Sequence, residues 1–297
     1  MILINTNTIL IPVDFSKTSL LAVKHGAFIA KICKGDIILL HVQKKDDLID
    51  IILPIFDVKN ISEITKFLEE KLEKLGKEVR KEYGIKVIPL VSTGNITSEI
   101  VNIAEEYKAG IIIMGTQGAN SNNDLFLGSN SYKVLTKSTI PVMTVRTESP
   151  KIGYRNILLP IDSSEHSRQK VNAAIQIANK FASHLYVVGV LGEHEDAYKY
   201  KMEIILSQIK KMVSSKKLVC TTQIIKTNNR SKKTLSYAKK VKADLIITMT
   251  DQKTELSRAI LSTYVHELIN NAKIPVLSIP PETHYENLGQ DSIGGMW

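Results

Sequence analysis

The chain has 297 residues, an apolar fraction of 43% and a net charge of +9, which excludes a disordered or low-complexity polymer and leaves room for two ordinary domains. Residues 1–150 carry 18 Lys and Arg against 17 Asp and Glu (+1), whereas residues 151–297 carry 21 against 13 (+8), so the basicity belongs to the second half. Cys33 and Cys220 stand far apart, the seven histidines show no HxxxH or HExxH grouping, and no apolar run approaches the ~18 residues of a membrane span; disulfide scaffolds, zinc catalysis and membrane insertion are not expected.

The elements follow in chain order. "TILIPV" from Thr8, "DIILLHV" from Asp36, "KVIPLVS" from Lys86, "GIIIMG" from Gly110 and "IPVMTVR" from Ile140 are short Ile- and Val-rich runs, the pattern of buried parallel strands. Between them residues 16–33, 61–83, 97–107 and 129–137 have helical spacing. In 61–83, Ile61, Ile64, Phe67, Leu68, Leu72 and Leu75 fall on one face with Glu and Lys opposite. "VSTGNITSEI" reads as a strand, a turn at Gly94 and a helix capped by Thr97. Residues 46–60, "DDLIDIILPIFDVKN", are unusually apolar for a loop and suit a lid, a partner surface or a packed interface. "TESPKIGYR", residues 147–155, reads as a polar linker.

Beyond it the pattern repeats. Residues 8–42 match 156–190 at an offset of 148, while "AGIIIMG" matches "ADLIITM" and "STIPVMTVR" matches "AKIPVLSIP" at an offset of 134. With right-handed crossovers the fold class is α/β: two tandem doubly wound domains, each a five-stranded parallel sheet flanked by helices. The expected boundaries are 1–147, 153–281 and a polar C-terminal tail, 282–297, that ends in Trp297. Lys210, Lys211, Lys216 and Lys217 flank a helical pattern and read as a solvated face, so nucleic acid is not the expected partner. "IKTNNRSKKTL" places Lys226, Arg230, Lys232 and Lys233 near a helix start, either an anion site or a solvated surface.

"MGTQGANSNNDLFLGSNSYKV", residues 114–134, follows a strand and runs into a helix, a setting in which backbone N–H groups bind an anion. Gly115, Gly118 and Gly128 permit close approach or left-handed backbone there; a glycine-rich surface turn is the plain alternative. The spacing is not GxxxxGK[ST], which disfavours a Walker-type NTPase. Asp14, taken alone, reads as a helix N-cap or first-turn acid, and His41 as a strand-end residue.

Gly115, two residues, Gly118, nine residues, Gly128 and Ser129, together with "PVDFS" and "LLHV" at the ends of the first two strands, resemble the ATP-binding universal stress protein signature. With the repeat, the resemblance covers about residues 5–280 and looks like a tandem member with an adenine nucleotide α-hydrolase-like fold. It implies that Asp14 and Val42 contact adenine and that Pro12 and Met114 shape its pocket. Gly115, Gly118 and Gly128 would line ribose and phosphates, and Ser129, Asn130 and Ser131 would hydrogen-bond the phosphates. The implied ligand is ATP, with or without Mg2+, at one site; the second half carries Met249, Gln252 and Ser262 where the glycines stand and is expected to be degenerate for ATP. The expectation is a cytoplasmic nucleotide-binding regulatory protein of the stress response, acting on an unidentified protein partner. Its rivals are a slow ATPase or adenylating enzyme, although no catalytic base or arginine finger is evident, and a nucleotide-independent interaction scaffold. Family members commonly pair through their final strands, so Val142, Val145, Val276 and Ile279 are expected at the interface of a pseudo-dimer within one chain. A further homodimer through another face remains compatible.

Overall fold

A computed structural model describes residues 7–44, 59–116, 127–149, 151–164, 166–250 and 261–281. The apolar segment 46–60, for all but its last two residues, and the tail with Trp297 lie outside them. The first half runs β1 (Thr8–Pro12), α1 (Lys17–Cys33), β2 (Asp36–Gln43), α2 (Lys59–Tyr83), β3 (Val87–Thr93), α3 (Ile96–Glu106), β4 (Ile111–Gly115), α4 (Ser129–Lys137) and β5 (Val142–Val145). The second runs β6 (Asn156–Ile161), α5 (His166–Phe181), β7 (His184–Leu191), α6 (Lys199–Ser215), β8 (Cys220–Lys226), α7 (Arg230–Lys240), β9 (Leu245–Met249), α8 (Thr263–Asn271) and β10 (Val276–Ile279). These are the elements expected from the repeat, at nearly the expected bounds.

The ten strands form one sheet in the order β3-β2-β1-β4-β5-β10-β9-β6-β7-β8. Within each half all pairings are parallel; at the centre β5 and β10 pair antiparallel, with Val276 opposite Thr144, Leu277 opposite Met143 and Ser278 opposite Val142. Val142, Val145, Val276 and Ile279 are all buried at this seam, because apolar layers cover both faces of the sheet there. Successive side chains of a strand leave by opposite faces. Ile9 and Ile11 therefore join one apolar layer, with α1, α2, α5 and α6, while Leu10 joins the other, with α3, α4, α7 and α8. Each layer runs through both halves. Pro89 sits inside β3, which it can do because β3 is an edge of the sheet.

One local expectation is corrected. The cap of α3 is Asn95, whose side chain accepts the Ser98 N–H at 3.2 Å, and Thr97 is buried inside the first turn. The linker 147–155 also carries buried side chains that its polar composition did not announce. Ser149 and Tyr154 are 2% exposed, and Asp244 accepts the Arg155 and Asn156 N–H groups at 3.1 and 3.0 Å while pairing with Lys151. The Tyr154 ring lies against Phe28 of α1 and Phe181 of α5, centroids 6.1 and 5.1 Å away. Its hydroxyl meets His25 Nδ1 at 2.7 Å, and His25 Nε2 meets the Ser149 carbonyl at 2.9 Å. A carbonyl only accepts, so Nε2 carries the proton and the tyrosine donates to Nδ1. Burial holds the His25 pKa below 6.5. Cys33 and Cys220 are free thiols.

Candidate functional site

β1 and β4 are neighbours in the sheet, with Ile9 opposite Ile111 and Leu10 opposite Ile112, so Pro12, Asp14, Met114 and Gly115 gather at one carboxyl edge. This is the switch point of a doubly wound sheet, since β2 continues one way and β5 the other. Val42 lies half-buried near the end of β2, next to β1. The turn after β1 is a tight construction. Ser16 caps α1 by accepting the Ser19 N–H at 3.2 Å, and Asp14 accepts the Ser16 N–H at 3.0 Å. Asp14 is therefore two residues before the cap, with an exposed carboxylate. Phe15 between them has φ 61°, a left-handed conformation that costs a non-glycine residue about 1–2 kcal/mol. Its ring sits 5.4 Å from His41 and beneath Lys71, whose Nζ is 4.0 Å from the ring centroid. His41 in turn donates from Nδ1 to the Val13 carbonyl at 2.7 Å.

On the β4 side the loop closes on itself. Gly128 donates its N–H to Thr116 O at 2.7 Å, and Ser131 Oγ donates to Gly115 O at 2.9 Å. These bonds bring the first turn of α4, with Ser129, Asn130 and Ser131, to the end of β4. Gly128 is the N-cap of α4, at φ −61° and ψ 149°, and supplies no side-chain cap, so the first-turn N–H groups have no capping oxygen from it. Thr116 Oγ1 beside it is buried and has no hydrogen-bond partner among the described residues. Gly115 is a glycine for a reason internal to the fold: a Cβ there would stand 2.8 Å from Thr18 Cβ and 3.0 Å from the Thr18 backbone carbon. Gly118 and Gln252 lie outside the described residues. Leu127, just before Gly128, donates its N–H across the seam to Asn270 Oδ1 at 2.7 Å.

The second half keeps the first turn and changes the rest. Asp162 accepts the Ser164 N–H and hydroxyl at 2.8 and 2.6 Å, and Ser164 Oγ accepts the Ser167 N–H at 3.2 Å. At α8 the cap is Ser262, whose oxygen accepts the Val265 N–H at 3.4 Å. A cavity of about 440 Å3 opens here between the ends of β6 and β9 and the start of α8. Sequence reasoning passed over two of its walls, Lys170 and Tyr264. The signal was available, because Lys170 interrupts the buried stripe of α5 that continues through Ala174 and Ala178. Two of the four cations in the basic stretch at α7 are paired: Arg230 with Glu195 at 2.6 Å, and Lys226 with Asp196. Among the described residues no cluster of His, Cys, Asp or Glu has the makings of a metal site, and no helix is long and apolar enough to cross a membrane.

Comparison with known proteins gives a consistent result. The model of the universal stress protein family matches residues 5–146 and again 153–280. A universal stress protein of Methanocaldococcus jannaschii is 32% identical over 155 residues, 48% of this chain and 95% of its own length. One from Bacillus subtilis is 29% identical over 146 residues, 47% of this chain and 99% of its own. The crystal structure of a universal stress protein from Archaeoglobus fulgidus superposes with a TM-score of 0.77 at 21% identity, covering 93% of this chain and 99% of its own, a likeness of fold.

Proposed function

The chain belongs to the universal stress protein family, as a tandem of two such domains in one polypeptide, and from that premise we propose that its first half binds one ATP in a regulatory role. The observation that carries this reading is the contrast between the starts of α4 and α8. Gly128 leaves the first turn of α4 without a side-chain cap and presents no side chain, whereas Ser262 fills the same place on α8 with its own oxygen. A phosphate at α4 would accept from backbone N–H groups that the helix leaves over, with the helix dipole in its favour. The buried Thr116 hydroxyl without a partner supports the fit. Ser129 and Asn130 would contribute side chains; Ser131, whose hydroxyl donates to Gly115 O, would contribute its N–H. Asp14 and Val42 would meet the base, with Pro12 and Met114 behind it, and Gly118 would complete the loop. Bound Mg2+ would offset phosphate charge.

The test is calorimetric titration of the full chain with ATP. One ATP per chain is expected; two would refute the degeneracy of the second half, and none would leave the chain a nucleotide-independent scaffold. Gly128→Val places a branched side chain at the phosphate and should abolish binding with the fold retained, whereas Ser262→Val should leave binding unchanged. Equal affinity of Gly128→Val and the parent protein would sink the assignment.

A further inference from the structure

The cavity of the second half has been rebuilt rather than lost. At the repeat's offsets of 148 and 134, Lys170 stands where the first half has Ala22, Arg230 where it has Ile96, Tyr264 where it has Asn130, and Met249 where it has Gly115. All four newcomers line one cavity of about 440 Å3, a volume in the range of small-molecule sites. Two of them are cations. Lys170 is 4% exposed and donates from Nζ to Ser167 Oγ at 3.1 Å, which fixes the ammonium in the wall. An alanine would serve the packing of α5 here, so the lysine brings a hydrogen-bond donor into the cavity wall that the first half does not have.

We propose that this cavity binds a small organic anion, a compact molecule with a phosphoryl or carboxylate group, held by Lys170 and Arg230. Asp162, the acid in the wall, has Oδ1 committed to the turn before α5 through the Ser164 N–H and hydroxyl. Arg230 is anchored by Glu195 through one guanidinium nitrogen, and the planar fork has further N–H donors. The Tyr264 hydroxyl sits 3.2 Å from Thr234 Oγ1. Burial raises its pKa far above the ordinary range, with the Thr234 bond and Arg230 opposing and Asp162 adding to the rise, so it remains neutral. The +8 charge of this half would draw anions toward it. A nucleoside triphosphate does not suit the site. Ser262 already occupies the first turn of α8 with its own oxygen, and the Met249 and Tyr264 side chains both stand in the wall of the cavity. The apolar body of the guest would lie against Val190, Met249 and Pro281. The inference does not depend on ATP binding in the first half.

The experiment uses the full chain with excess ATP present and titrates glycerol 3-phosphate and, separately, succinate, by calorimetry. One equivalent of at least one probe is expected to bind, and the preferred probe identifies the anionic group. Lys170→Met and Arg230→Met should each weaken that binding at least tenfold while leaving the ATP titration unchanged. Should Lys170→Met fail to fold, Arg230→Met, a partly exposed position, carries the test alone. Neither probe binding at millimolar concentration, binding that persists in the variants that fold, or competition of the probe with ATP for a single site would each overturn the proposal.

Discussion

Replacing Tyr154 by Phe removes one oxygen and leaves a ring of nearly the same shape packed between Phe28 and Phe181. The loss falls on His25. Its Nε2–H is committed to the Ser149 carbonyl, so Nδ1 must accept, and the tyrosine hydroxyl at 2.7 Å is its donor. His25 is fully buried, so bulk solvent does not supply a replacement donor to Nδ1. A buried acceptor left without its partner costs about 1–3 kcal/mol, which for a chain of this size corresponds to a fall in Tm of roughly 2–6 °C. Differential scanning calorimetry at pH 8 would read it directly. The same site sets a pH dependence. The unfolded chain protonates His25 near pH 6.5, and the native pocket resists the proton because burial lowers the pKa. Below pH 6.5 the unfolded state therefore binds more protons than the native one, so stability is complete above pH 6.5 and declines as the pH falls through the native value. His184 is also shifted down by burial, so a His184→Gln background isolates the effect. A Tyr154→Phe protein as stable as its parent at pH 8, or a His184→Gln protein whose urea midpoint is constant from pH 8 to 5.5, would refute this account of the pocket.

Gly115→Ala should destabilise the protein by about 1–3 kcal/mol with no nucleotide present, because the added methyl meets the Thr18 backbone at 3.0 Å and α1 cannot yield without moving; an unchanged urea midpoint would show that the glycine serves only a ligand. Residues 1–149 expressed alone should dimerise through the β5 edge that β10 covers in the full chain, and a monomer at high concentration in analytical ultracentrifugation would contradict the role assigned to the seam.

The alternation of strands and helices was legible because every central strand is a short apolar run and the repeat supplied each element twice. The pairing of β5 with β10 was legible through the resemblance, whose members pair by their final strands, and "IPVMTVR" and "IPVLSIP" are the matched apolar edges that such pairing covers. Local polarity said too little at two places. Asn95, Thr97 and Ser98 all have the chemistry of a cap, and which one caps α3 depends on where the chain turns. "TESPKIGYR" is polar by composition, yet Tyr154 and Ser149 are buried because α1 and α5 approach from both halves, a long-range fact that a nine-residue window does not hold. At the site, Gly115 was read against a ligand, while the geometry also sets it against Thr18. Lys170 needed the two halves to be aligned before it stood out.

The antiparallel seam has a consequence for how such a chain can change over time. In a symmetric homodimer every substitution appears twice, and a residue that improves one site alters the other identically. A covalent pair is released from that rule. Ala22 and Lys170, Gly128 and Ser262, Asn130 and Tyr264 occupy equivalent places on opposite sides of a pseudo-two-fold axis, and each has gone its own way while Val142, Val145, Val276 and Ile279 kept the halves together. Joining the halves also makes their association independent of protein concentration, so an assembly that dilution would separate persists even when few copies are present. One half is then free to acquire a new specificity without the other surrendering its own.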